Sequence, residues 1–197
     1  MTRRGFLQAA LAAPFAAAWV ARLAGRAGQG LDRFTAGTAT CGDDKPTTAV
    51  PDDQTFRAGA PERTALADRD ASGQRLTISG TVSGVVCGPI KGARVEFWQA
   101  DAHGVYDVTG FRLRGYQLTD TDGRYHVETI VPAAAAGRAR HVNARVQATG
   151  KPGLTTALYF PDDPDNSRDP IFRPELTMKT TPAPGGLAAT FNFVLNA

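Results

Sequence analysis

Long amphipathic helices are missing from this chain of 197 residues, as are internal repeats. No apolar run beyond the N-terminal leader is long enough to read as a membrane span. Cysteine is nearly absent, with Cys41 and Cys87 the only two. They allow one disulfide, tying the N-terminal arm to the first hairpin, or two free thiols, and spacing alone decides neither. Cys41 is no lipid-anchor site, because Thr38-Ala39-Thr40 lacks the leucine and small-residue pattern before it. A surplus of one charge is also lacking. The 22 basic and 19 acidic residues give a net charge of +3, yet Arg3, Arg4, Arg22 and Arg26 are the only charged side chains before Asp32. Without those four, acidic residues outnumber basic ones by one. The basic character therefore belongs to the N-terminal segment, and a nucleic-acid surface is not supported.

What is present begins with Thr2-Arg3-Arg4-Gly5-Phe6-Leu7-Gln8, a twin-arginine motif followed by the apolar run Ala9 to Ala21. This order reads as a signal peptide over residues 1–30, and predicts export to the periplasm or beyond with no transmembrane span in the mature form. Residues 31–74 read as an extended arm rich in Asp, Pro, Thr, Ala and Gly. From Arg75 the pattern changes to short alternating strands. Leu76, Ile78 and Val82 alternate with threonine and serine, and Ala93, Val95 and Phe97 alternate with Arg94, Glu96 and Trp98. Further strands are expected over 116–119, 124–130, 141–148, 155–160 and 188–195, where Phe191, Phe193 and Leu195 share a face. Turn signals separate them, with Asp122-Gly123 the clearest hairpin. About seven short strands at this spacing predict an all-β fold, a β-sandwich over residues 75–197.

Gly92-Ala93-Arg94-Val95-Glu96-Phe97-Trp98-Gln99-Ala100-Asp101, then Gly104-Val105-Tyr106, then Phe111-Arg112-Leu113-Arg114-Gly115 form an ordered series. Thr119-Asp120, Asp122-Gly123-Arg124-Tyr125 and Glu128-Thr129-Ile130-Val131-Pro132 continue it, followed by Leu154-Thr155-Thr156 and Leu158-Tyr159-Phe160-Pro161. The series spans about residues 75–175 and resembles the core of the intradiol ring-cleavage dioxygenases. The resemblance implies a β-sandwich holding one non-haem Fe(III) through two tyrosines and two histidines. It also implies a catechol-type aromatic substrate, cleaved between its hydroxyl-bearing carbons with dioxygen. Phenolate and imidazole are the donor types that a hard ferric ion needs for this chemistry.

Carried over by position, Tyr106 falls on the first tyrosine ligand, His141 on the first histidine, and Arg138 on an arginine that stabilises charge on the ring. The remaining positions depart from the pattern. Ala135 stands where the second tyrosine belongs, Asn143 where the second histidine belongs, and Ala157 where a glutamine follows the paired threonines. The stretch that borders the pocket is reduced to Thr55-Phe56. His103 and His126 read as surface residues, and neither Tyr116 nor Tyr125 falls on a ligand position. The acidic loop from Asp162 to Asp169 lacks the oxygen spacing and glycine turn of a calcium site. Two functions stay open at this point: an exported iron-dependent dioxygenase of catechol-type rings, and a non-catalytic sandwich binding an aromatic or other small ligand without iron.

Overall fold

The computed structural model describes residues 45–51, 54–86 and 88–197, so the expected signal peptide and both cysteines lie outside the described residues. Alternation of apolar and polar side chains produces nine strands. They are β1 (Arg75–Gly84), β2 (Arg94–Trp98), β3 (Arg114–Leu118), β4 (Arg124–Ile130), β5 (His141–Gln147), β6 (Leu154–Tyr159), β7 (Lys179–Ala183), β8 (Gly186–Thr190) and β9 (Phe193–Leu195). Two short 3-10 turns, Asn166–Arg168 and Pro174–Leu176, are the only helical pieces among the described residues. The fold is all-β, as the alternation predicts.

The strands form two sheets. One is five-stranded, ordered β4-β1-β8-β7 with β9 also paired to β1, and the other is four-stranded, ordered β3-β2-β5-β6. Leu76, Ile78 and Val82 of β1, with Tyr125 and Val127 of β4, face Val95 and Phe97 of β2 and Val142, Ala144 and Val146 of β5 in one apolar core. Each fully buried aliphatic or aromatic side chain there contributes about 1.5–3 kcal/mol.

Because Val142, Ala144 and Val146 point inward, their neighbours His141 and Asn143 must emerge on the outer face of the four-stranded sheet. That face is covered rather than bare. A second apolar cluster of Val50, Ala139, Ala157, Tyr159 and Leu176, flanked by Phe172, packs against it. Register aligns the outer-face residues, with Asn143 between Trp98 and Ala157, and His141 beside Tyr159.

Two strand expectations need correction. The segment 188–195 is not one strand: β8 and β9 are separate, and Phe191 and Asn192 interrupt the ladder along β1 between them, with the register unchanged. Asn192 replaces a ladder bond there, its side-chain oxygen accepting the Thr81 N–H at 3.1 Å. Strand β7 was not anticipated, since Pro182 removes a ladder donor; it is tolerated because β7 lies at the sheet edge.

Candidate functional site

Tyr106 sits in the loop between β2 and β3, and that loop is held by two aspartates and several arginines. The Asp101 carboxylate accepts the N–H groups of His103 and Val105 at 2.9 and 3.0 Å and pairs with Arg112 at 3.1 Å. The Asp107 carboxylate accepts the N–H groups of Gly110, Arg112 and Thr109. These backbone donors hold its pKa down to about 2. The buried guanidinium of Arg114 donates to the Asp107 carbonyl from Nε and Nη2, at 3.1 and 3.0 Å. Tyr106 is therefore presented by a fixed turn.

His141 opens β5, and its tautomer follows from its neighbour. Nδ1 lies 2.7 Å from the carbonyl oxygen of Ala139, which can only accept, so Nδ1 carries the proton. When the ring is neutral, Nε2 is its bare nitrogen, 3.1 Å from the Tyr106 hydroxyl, which then donates to it. Asn143 completes the set, its Nδ2 donating to the same hydroxyl oxygen at 3.1 Å. The structure thus gathers Tyr106, His141 and Asn143 into one hydrogen-bonded chain running from amide to phenol to imidazole to carbonyl.

Trp98, aligned with Asn143 across β2, donates from Nε1 to the Thr55 hydroxyl at 3.0 Å, and Phe56 meets the indole edge-on at 5.1 Å. The reduced border Thr55-Phe56 consequently does lie against this face. The His141 ring has Tyr159 beside it, centroids 5.8 Å apart, and Phe172 stands edge-on to Tyr159 at 5.0 Å. Aromatic side chains wall the polar triad on both flanks.

Arg138 is not a solvated loop residue. Its Nε donates to both carboxylate oxygens of Asp169, at 2.8 and 2.7 Å, and its Nη2 donates to the Tyr159 hydroxyl. Burial works against the charge of Asp169, but Arg138 and the N–H groups of Ile171 and Ala139 outweigh it and hold the carboxyl below its usual range. Burial raises the Tyr159 phenol above its ordinary value despite the neighbouring guanidinium. A matching pair, Asp163 with Arg140 at 2.7 Å, fastens the same loop to the residues before β5. The acidic loop is thus a clamp of two carboxylate–arginine pairs.

Sequence reasoning missed Asp169 and Tyr159 as parts of the site. Nothing in the pattern around Asp169 marked it, whereas Tyr159 stood in the Leu-Tyr-Phe-Pro piece of the resemblance. Tyr125 is buried in the core and donates to the Phe191 carbonyl at 2.7 Å, and burial pushes its phenol well above the ordinary range. Tyr116 carries Arg94 over its ring and donates to Glu62. His103 and His126 are exposed, as expected. An open cavity of about 330 Å³, lined by Thr47, Lys151, Leu154 and Val194 among others, shares no residue with the triad and carries one ionisable side chain.

The donor set falls short of the ferric centre that the resemblance implies. Tyr106 and His141 converge, but Ala135 and Ala157 are buried methyl groups with nothing to donate. Asn143 offers only a neutral amide there. One phenol, one imidazole and a neutral amide do not fit a trivalent ion that calls for several anionic and imidazole donors.

Comparison with known proteins agrees with the fold. The family model described as Dioxygenase matches residues 54–197. Catechol 1,2-dioxygenase of Acinetobacter baylyi is 30% identical over 161 residues, covering 67% of this chain and 52% of that enzyme. 6-Chlorohydroxyquinol 1,2-dioxygenase of Cupriavidus pinatubonensis is 32% identical over 166 residues, covering 70% of this chain and 60% of the enzyme. The chain thus spans little more than half the length of these curated relatives. The dioxygenase domain of a dioxygenase carbohydrate-binding protein fusion from Streptomyces sp. SirexAA-E superposes with a TM-score of 0.76 at 44% identity, over 78% of this chain and 99% of that one. By sequence profile, relatives and architecture, the chain belongs to the intradiol ring-cleavage dioxygenase family.

Proposed function

We propose that this chain receives a catechol-type aromatic ring on the Tyr106–His141 face as a metal-independent binding protein, without the iron-dependent cleavage cycle. The motif at Arg3-Arg4 supports placing it outside the cytoplasm, after export by the twin-arginine route. The single observation that carries the reading is the donor set itself: Ala135 is a buried methyl where a second phenolate belongs and Asn143 a neutral amide where a second imidazole belongs, which leaves Tyr106 and His141 bonded to each other. Even outer changes around a metal ligand cost ~10–100-fold in affinity, and here one ligand position holds a methyl group and another a neutral amide. The retained phenol and imidazole can exchange hydrogen bonds with ring hydroxyls, and Trp98, Phe56, Tyr159 and Phe172 offer aromatic surface around them. Arg138 stays engaged with Asp169, so its charge is largely spent inside the protein.

One observation favours the iron-dependent reading instead. A histidine that donates Nδ1–H to a backbone carbonyl and offers Nε2 is arranged as metal-binding histidines are. Metal analysis and visible absorption of protein produced with added iron separate the two. The expected result is colourless protein with far less than one iron per chain, which binds catechol by calorimetry. Near-stoichiometric iron, with a visible band that disappears in Tyr106→Phe, establishes the iron-dependent reading and overturns ours.

A further inference from the structure

We infer that Asp169 is the positioning residue of the ring site, fixing the tautomer of His141 and the place of Arg138 although it touches no ring ligand itself. The inference rests on the binding role proposed above for the Tyr106–His141 face. Asp169 has a fully buried side chain. Its Oδ2 accepts the Ala139 N–H at 3.1 Å, and the carbonyl of that same residue receives Nδ1–H of His141 at 2.7 Å. Holding the Ala139 N–H helps fix the orientation of the residue whose carbonyl decides which imidazole nitrogen is bare. The same carboxylate grips Arg138 Nε with both oxygens and takes the Ile171 N–H at 3.0 Å. Arg138 in turn holds the Tyr159 hydroxyl, and the Tyr159 ring flanks His141. One carboxylate from a distant loop thereby sets the base, the flanking ring and the guanidinium together.

Only a carboxylate satisfies this arrangement. Asp169 accepts from three donors and offers none. An asparagine there would have to turn its own N–H₂ against at least one of them. The neighbouring Asp165–Arg168 pair provides the internal comparison, since it lies in the same loop and bonds to no residue from Arg138 to His141.

The test uses the full chain, free of iron, with two readouts: nitrogen-15 NMR of the His141 ring at a pH where it is neutral, and calorimetric titration with catechol. The unmodified protein should show the Nδ1–H tautomer alone. Asp169→Asn should give a mixture of tautomers and weaken catechol binding ~10-fold or more, the size of loss that follows removal of a supporting bond. Asp165→Asn should change neither. If Asp169→Asn does not fold, the double substitution Arg138→Met with Asp169→Leu removes both charges, leaving no buried ion unpaired, and is read the same way. An unchanged tautomer and affinity in the Asp169 variants overturns the inference, as does an equal change in Asp165→Asn. Failure of the unmodified protein to bind catechol would sink the binding role instead, while the tautomer would still decide the part played by Asp169.

Discussion

Asn143 and Ala135 are where this chain parts from a ferric site, and they make the scaffold testable by addition rather than removal. Asn143 shares its face of β5 with His141, whose Nε2 is already directed at the Tyr106 hydroxyl. Ala135 lies before a turn in which Ala136 has φ 52 and Gly137 φ 75, beside the exposed Ala134. Supplying an imidazole and a second phenol at these two positions should recreate a four-donor set. The double substitution Ala135→Tyr with Asn143→His is expected to raise bound iron toward one per chain, with a new visible absorption band. Protein that stays iron-free after loading would show that more than two side chains has been lost. The site was legible in the sequence as far as side-chain identity reaches, because Tyr106, His141 and Arg138 occupy positions that the resemblance marks. Asp169 was not legible. Its role comes from the Ala139 N–H and a half-buried arginine 31 positions away in the chain, and no local pattern encodes such a contact.

Among the elements, the loop presenting Tyr106 and the ladder break at Gly80 carry the clearest consequences. The Asp107 carboxyl has its pKa lowered from 3.8 to about 2 in the folded loop, by the N–H groups of Gly110, Arg112 and Thr109. A depressed folded pKa means stability that is present above the unfolded value and lost as pH falls through the folded one. Thermal unfolding of the protein and of Asp107→Asn should therefore differ at neutral pH, with the native chain the more stable. The gap should close between about pH 4 and pH 2; a gap independent of pH would assign the loop's rigidity to other bonds. At Gly80 a Cβ would lie 1.7 Å from the Phe191 carbonyl oxygen, where the chain passes between β8 and β9. Gly80→Ala is expected to destabilise by about 1–3 kcal/mol or more in urea unfolding, and a neutral result would mean that this segment shifts freely. The break was hidden because Phe191, Phe193 and Leu195 alternate as one strand would. Alternation reports which face a residue takes, not whether its hydrogen bonds run unbroken. Strands β1, β4, β5 and β6 were readable for the same reason that this break was not.

At the scale of the molecule, the arm before β1 acts as part of the sandwich. Arg63 N–H donates to the Tyr116 carbonyl and Tyr116 N–H to the Pro61 carbonyl, which covers the free edge of β3. Leu66 N–H donates to Glu128, and Glu128 N–H to Thr64, which covers the edge of β4. Both sheets thus have an otherwise open edge satisfied by one irregular segment, and exposed edges of this kind recruit other chains. The same segment sends Leu66, 1% exposed, into the core between the sheets. Further toward the N-terminus, Val50 joins the cluster on the outer face and its N–H donates to the Thr155 carbonyl. The arm therefore connects the edges, the core and the site face. Leu66→Ala should cost about 2–5 kcal/mol in urea unfolding, as for a leucine inside a strand of the core. A chain beginning at Arg75 loses the edge bonds as well, and is expected to associate or fail to fold, judged by light scattering and by the loss of a cooperative transition. If that shortened chain unfolds cooperatively as a monomer with unchanged midpoint, the arm is an appendage and the strands alone hold the site face in place.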